Sequence, residues 1–225
     1  MPEREFREEL FAQFARIGKA IASPARLEMI YLLSQGQKSV EELAKAAGLS
    51  LANASQHLQQ LKAARIVWSR KEGQRVRYGL ASERVEGLWQ SLQRLGEERL
   101  LEVTDLVNTY IKNRDGLEPV THRELLEKMR DRKVVLIDVR PSEEYAAGHL
   151  PEALSVPLGE LEARLGDFPA DREIIAYCRG PYCLLAVEAV ERLRAKGFRA
   201  LRLADGFPEW KAHGLPLEGV ASQAS

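Results

Sequence analysis

The chain has 225 residues, 45% of them hydrophobic and 29% charged, with 33 basic and 33 acidic side chains that cancel to a formal net charge of zero. Composition of this kind belongs to ordinary globular protein, long enough for one large domain or two small ones. It excludes a membrane-spanning helix, since no apolar run approaches the ~18 residues required, and the acidic N-terminus does not read as a signal peptide, so a cytoplasmic location is the expectation.

The first half reads mainly as helix. Residues 5–20 and 24–35 place apolar side chains at three- and four-residue spacing, with Phe6, Leu10, Phe14 and Ile17 in the first and Leu27, Ile30 and Tyr31 in the second. Ser23-Pro24 puts an N-cap before a proline at the first helical position. Ser39-Val40-Glu41-Glu42 begins as a capping box, and Leu43, Ala44 and Ala47 form the buried side of the helix it opens. Gly48-Leu49-Ser50 is a turn, and Ser50 caps a further helix to about Ala64. Two strand-like runs follow, Ile66–Arg70 and Arg75–Leu80, joined by Lys71-Glu72-Gly73-Gln74 as a hairpin. Residues 62–77 hold six basic side chains against Glu72 alone, a local net charge of +5.

Helix, tight turn, helix and basic hairpin form the winged helix-turn-helix arrangement. Its second helix offers Ser50, Asn53, Ser55, Gln56 and Gln59 to base edges or phosphates, with Leu58 and Leu61 buried. The hairpin offers Arg70, Lys71, Arg75 and Arg77 to phosphate or the minor groove. The competing reading of these basic residues is a solvated hairpin. From 82 to 111 runs one long amphipathic segment, including Val85, Leu88, Trp89, Leu92, Leu95, Leu101, Val103, Leu106, Val107 and Tyr110. Its apolar side exceeds what a small domain can cover, so a homodimer contact through the 82–111 helix is expected, with packing on its own domain as the alternative.

The stretches Gly48–Leu61 and Ala64–Gly73 resemble the ArsR family of bacterial repressors over roughly residues 8–112. The resemblance implies a dimeric winged-helix regulator of a double-stranded DNA operator, dimerising through its terminal helices. His57 falls on that family's usual His-Leu pair and is expected to be structural or to contact phosphate. The family's metal sensors place paired cysteines on the helix before the recognition helix, where this chain reads Val40-Glu41-Glu42-Leu43-Ala44-Lys45-Ala46. Others bind zinc through the later helix, and no histidine lies between 82 and 112. Metal sensing is therefore not expected.

Residues 113–119 read as a linker, giving expected boundaries of 1–113, 114–120, 121–217 and a tail from 218 to 225. Beyond the linker, strands alternate with helices: Val134–Val139, Ile174–Tyr177 and Ala200–Leu203, separated by helical patterns over Ser142–Ala147, Leu158–Leu165, Leu184–Lys196 and Pro208–His213. The nearly continuous apolar strands point to an α/β domain with a mostly parallel sheet, buried on both faces.

Tyr177-Cys178-Arg179-Gly180-Pro181-Tyr182-Cys183 contains both cysteines of the chain, between a buried strand and a helix. Backbone N–H groups and the helix dipole at such a place favour an anion and lower a thiol pKa. Two cysteines five apart make no disulfide framework, and the four histidines (57, 122, 149 and 213) are scattered, so neither metal nor cofactor is expected.

The runs Leu136–Pro151 and Asp205–Trp210, with Cys178 between them after a central strand, resemble the rhodanese family over about residues 118–217. The resemblance makes Cys178 the nucleophile that carries a persulfide. Arg179, Gly180, Pro181 and Tyr182 become the cradle for the sulfur anion, and Asp138 and Arg140 buttress it. Glu144 and His149 are expected to serve structure. Glu152 and Asp205 stand where that family commonly has glycine. Related phosphatases have a loop one residue longer that closes in an arginine; this one ends in Cys183, which argues against phosphate esters and against efficient thiosulfate use. Cys183 is a candidate resolving thiol, or else packs at the helix start.

The combined expectation is a DNA-binding regulator that senses sulfane sulfur or thiol redox state. Its small-molecule partner would be a sulfur donor: thiosulfate, polysulfide or persulfide. An active sulfurtransferase carrying a DNA-binding domain is the alternative, and a bare interaction module is a third.

Overall fold

A computed structural model describes residues 3–115, 119–169 and 171–219, folded as two compact units, Met1–Gln93 and Arg94–Ser225. Part of the expected linker, residues 116–118, and the tail from 220 onward lie outside the described residues.

In the first unit, α1 (Glu3–Ile21) and α2 (Pro24–Leu33) precede a two-residue strand β1 (Lys38–Ser39), α3 (Val40–Ala46), α4 (Leu51–Ala63) and the hairpin strands β2 (Val67–Glu72) and β3 (Arg75–Leu80). The capping box at Ser39 forms as the sequence indicated: Ser39 Oγ accepts from the Glu42 amide, and the Glu42 carboxylate accepts from the Ser39 amide. These reciprocal bonds satisfy two of the donors that a helix start leaves open. Met29, Leu32, Leu33, Leu43, Ala54, Leu58, Leu61, Ile66 and Tyr78 close the core. The strand β1 pairs with β3, Lys38 opposite Tyr78, so the sheet has three antiparallel strands in the order β1-β3-β2.

The long segment from 82 is not one helix. The helix α5 (Glu83–Arg99) stops at Leu100, whose backbone is extended (φ −114°, ψ 107°), and α6 (Leu101–Val107) restarts beyond it. A π-helical turn (Asn108–Lys112) and the single turn α7 (Asn113–Asp115) follow. Ile111 on that turn is buried in the second unit. Part of the apolar surplus is thus covered within the chain, whereas Leu88 and Leu95 on α5 stay exposed. The helix α1 exposes a larger apolar set: Phe6, Leu10, Phe11, Phe14 and Ile17.

The second unit continues with α8 (His122–Arg130), β4 (Val134–Asp138), α9 (Ser142–Ala147), β5 (Leu154–Ser155), a 3-10 segment (Leu158–Asp167), β6 (Glu173–Tyr177), α10 (Leu184–Ala195), β7 (Ala200–Arg202) and α11 (Phe207–Ala212). The four strands are parallel in the order β5-β4-β6-β7. Side chains alternate across this sheet with period two. Ile137, Val139, Ile174, Ala176 and Cys178 enter one core with the apolar face of α10; Leu136, Ile175 and Tyr177 enter the other, with Leu125 and Trp210. Burial on both faces explains why β4 and β6 read as continuous apolar runs.

Glu152 adopts φ 61°, the left-handed conformation that glycine takes most readily. Among the described residues, no helix is long and apolar enough to cross a membrane.

Candidate functional site: a cysteine loop at a strand end and a basic wing

β6 delivers Cys178 at the C-terminal end of the parallel sheet, where α/β folds bind ligands. Cys183 is the N-cap residue of α10. Both cysteines are buried, and their sulfurs are bonded to each other across the loop, with Cα atoms 6.2 Å apart, inside the usual disulfide range. Gly180 permits the closure: its φ of 153° is one that side-chain-bearing residues rarely adopt, and its carbonyl accepts from the Cys183 amide at 3.1 Å. Gly206 closes the loop from behind. A Cβ on it would overlap the backbone of Arg179 and Gly180, and the next amide, Phe207, donates to the Cys178 carbonyl.

Arg179, expected in the cradle for the sulfur anion, has its charge engaged by a neighbouring carboxylate. Its guanidinium forks onto the buried Glu144 carboxylate, Nε and Nη2 donating at 2.9 and 2.8 Å. That pairing reduces the positive charge offered to a sulfur anion. Pro181 and Tyr182 are half-buried, and the Tyr182 hydroxyl donates to Glu97 near the end of α5. Burial, then this hydrogen bond, raises the Tyr182 pKa well above the ordinary tyrosine value. Tyr182 also walls an apolar cleft of about 290 Å³ with Val103, Leu106, Val107, Tyr110, Ile111 and Leu184.

Asp138 and Arg140 are fully buried at the same sheet end but across the sheet from Cys178. Asp138 pairs with Tyr177 in register and accepts from the Arg140 amide, from Arg140 Nε and Nη2, and from the Tyr177 hydroxyl, at 2.6–3.0 Å. Arg140 Nη2 also donates to the Gly148 carbonyl, and its guanidinium lies 4.6 Å from the Phe207 ring centre. Burial works against the Arg140 charge, yet the hydrogen bonds and charge of Asp138 prevail and its pKa rises. This network fixes the segments around the loop without touching either sulfur. His149 stacks on Tyr145, its Nδ1 meeting the Tyr145 carbonyl at 2.9 Å.

Two of the scattered histidines are brought together. His122 and His213 both face Asp205, a constellation that their spacing in the chain did not reveal.

In the first unit, Ser50 caps α4 by accepting from the Asn53 amide at 3.2 Å. Asn53, Gln56 and Gln59 recur every third residue on the exposed side of α4, and Ser55 and His57 are half-buried. The hairpin sorts its basic residues by face. Arg70 lies opposite Arg77 and Glu72 opposite Arg75, so these four share one face, while Lys71 pairs with Val76 on the other. Arg70 bonds to Glu72 at 2.7 Å and lies over the Trp68 ring. Arg77 is held at the base of the wing by Glu42 at 3.2 Å and by the Gln37 carbonyl, which argues against its expected place as a phosphate contact. Lys71 and Arg75 are exposed toward the tip.

These features define a two-part protein: a winged helix-turn-helix unit and a rhodanese-like unit with its cysteine loop. The family model for bacterial regulatory proteins of the arsR family matches residues 23–69, and that for the rhodanese-like domain matches residues 121–213. The chain is 42% identical over 209 residues to the HTH-type transcriptional regulator Rv0324 of Mycobacterium tuberculosis, spanning 93% of this chain and 92% of that protein. It is 35% identical over 85 residues to a sulfurtransferase of Allochromatium vinosum, across 37% of this chain and 78% of that one. A solved structure from Mycobacterium bovis, the homodimeric winged helix-turn-helix DNA-binding domain of Mb0332, is 40% identical with a TM-score of 0.42, over 44% of this chain and 91% of its own. The chain belongs to the arsR family of bacterial transcriptional regulators, in the form that carries a rhodanese-like domain.

Proposed function

We propose that this regulator binds a double-stranded DNA operator as a cytoplasmic homodimer, and that its rhodanese-like unit sets DNA affinity according to sulfane sulfur. The observation that carries the reading is the bond between Cys178 and Cys183 across a rhodanese loop. It turns a persulfide carrier into a two-state element, because the second thiol lies where it resolves the first. The Cys178 thiolate attacks the outer sulfur of a persulfide or polysulfide donor; the S–S bond of the donor breaks, and the shortened donor leaves as a thiol. The Cys183 thiolate then attacks Cys178 Sγ, forms the disulfide and releases the extra sulfur as hydrosulfide. The protein thiols lose two electrons, and the sulfane sulfur gains them.

Tyr182, inside the closed loop, is the residue that meets α5 through Glu97. α5 begins at Glu83, among the residues of the first unit. Closing or opening the loop therefore acts on a helix shared with the winged-helix unit, which is a physical route for coupling. The exposed apolar residues of α1, with Leu88 and Leu95 of α5, support dimerisation through the terminal helices.

The test measures operator affinity by fluorescence anisotropy on reduced protein, with and without polysulfide. Polysulfide is expected to change affinity at least fivefold in wild type, a coupling of about 1 kcal/mol, and to leave Cys178→Ser and Cys183→Ser unchanged. Equal affinity before and after treatment of wild type, with the disulfide verified by mass spectrometry, overturns the coupling. Similarity to a sulfurtransferase gives the second reading, turnover on thiosulfate or a persulfide donor. Sustained turnover that Cys183→Ser retains and Cys178→Ser loses favours it.

A further inference from the structure

His122, Asp205 and His213 come from three elements and meet at one point on the second unit. His122 is the first residue of α8, held there by the capping box in which Thr121 Oγ1 accepts from the Glu124 amide and Glu124 accepts in return. Asp205 follows β7, at a position where the rhodanese resemblance leads one to expect glycine, so its carboxylate is an addition to that pattern. His213 caps the end of α11.

Asp205 Oδ2 is 3.1 Å from His122 Nδ1 and 3.7 Å from His213 Nε2, and the ligating atoms of all three lie within 4.8 Å of one another. A tetrahedral zinc with nitrogen and oxygen bonds of about 2.0–2.1 Å holds its ligand atoms roughly 3.3–3.4 Å apart, midway between these two separations. A purely structural pair needs only His122 and Asp205. At 3.7 Å His213 Nε2 is too far for a hydrogen bond, yet its ring lies against that of His122, centres 4.3 Å apart, with Nε2 toward the same carboxylate oxygen. Two imidazoles and one carboxylate, borderline nitrogen donors with one hard anionic oxygen, match zinc and its late first-row neighbours and do not match magnesium or calcium.

We infer that His122, Asp205 and His213 form a binding site for a divalent transition-metal ion of the zinc class, with a fourth position open to water. The ion would bridge the start of α8, the β7–α11 turn and the end of α11. It would sit one residue from Gly206, whose backbone packs on Arg179 and Gly180. The site uses neither cysteine and none of the positions at which the arsR resemblance places metal ligands.

The experiment titrates zinc chloride into the full chain, with its cysteines oxidised so that thiolates do not compete, against a chromophoric chelator. Cobalt(II) absorption reports coordination geometry independently. One zinc per chain is expected, with a tetrahedral cobalt spectrum. His213→Ala, a change at a half-exposed ring that leaves the core untouched, should weaken binding at least about tenfold, as should Asp205→Asn. His57→Ala should retain full affinity. Absence of saturable zinc binding, or binding in His213→Ala equal to wild type, overturns the assignment.

Discussion

Asp138→Ala isolates the buried network beneath the cysteine loop. The substitution removes the carboxylate that accepts from four donor groups, the Arg140 amide, its Nε and Nη2, and the Tyr177 hydroxyl. Arg140, fully buried, keeps the Gly148 carbonyl and the Phe207 ring but loses the carboxylate bonded to its guanidinium. Removing one partner of a buried ion pair costs about 3–5 kcal/mol, because the remaining charge stays desolvated. Against a total of roughly 5–15 kcal/mol for a domain, this leaves the second unit marginal. With a urea dependence of roughly 2 kcal/mol per molar, the unfolding midpoint of that unit falls by about 2 M. The assay follows Trp210, buried in the second unit, in a chain whose Trp68 and Trp89 are replaced by Phe. The companion Asp138→Ala with Arg140→Leu removes both charges and should recover most of the loss. A residual of about 1–3 kcal/mol remains from the buried Tyr177 hydroxyl left without its acceptor. A midpoint shift below about 0.5 M for the single variant, or no recovery in the double, refutes this account of the network.

Gly206→Ala drives a methyl into the backbone of Arg179 and Gly180 and should cost the second unit about 1–3 kcal/mol by the same urea assay; wild-type stability would show that the turn and loop are not in contact. On the wing, Lys71→Ala should lower the salt dependence of operator binding by about one phosphate contact. Arg77→Ala, whose charge is engaged by Glu42, should leave that slope nearly unchanged; equal losses from both would contradict the sorting of the hairpin's faces. Burial, followed by the Asp138 charge, raises the Tyr177 pKa well above the ordinary value, so the folded chain keeps a proton that the unfolded chain has lost. Stability from this group is complete below about pH 10 and declines as pH rises beyond it, toward the folded-state pKa. Tyr177→Phe should flatten that decline in urea midpoints measured at rising pH, and an unaltered slope would rule the linkage out.

Local patterns account for most of the elements. Ser142–Ala147 is a helix, β3 spans the expected run and the Ser39 capping box forms, because periodicity and capping depend on residues three or four apart. The cysteine loop was legible for the same reason: both sulfurs, the permissive glycine and the flanking strand and helix lie within one short stretch. The strands β1 and β5 carry no local signal, since a two-residue strand exists only through the partner it pairs with. The break at Leu100 has no local signal either, as an apolar period continues across it.

At the site, what the sequence left open is long-range pairing. Arg179 and Glu144 are 35 positions apart, and His122 and Asp205 are 83. Nothing local indicates that a loop arginine will be neutralised or that an added aspartate will meet two histidines. Local pattern is enough for the winged helix, the parallel sheet and the cysteine loop between strand and helix. Tertiary structure decided that the second cysteine reaches the first, that the loop's positive charge is engaged by Glu144, and that three distant side chains converge at Asp205. Backbone preference acts over a few residues, whereas charge and sulfur contacts are set by which strand and helix ends the fold brings to the same edge of the sheet.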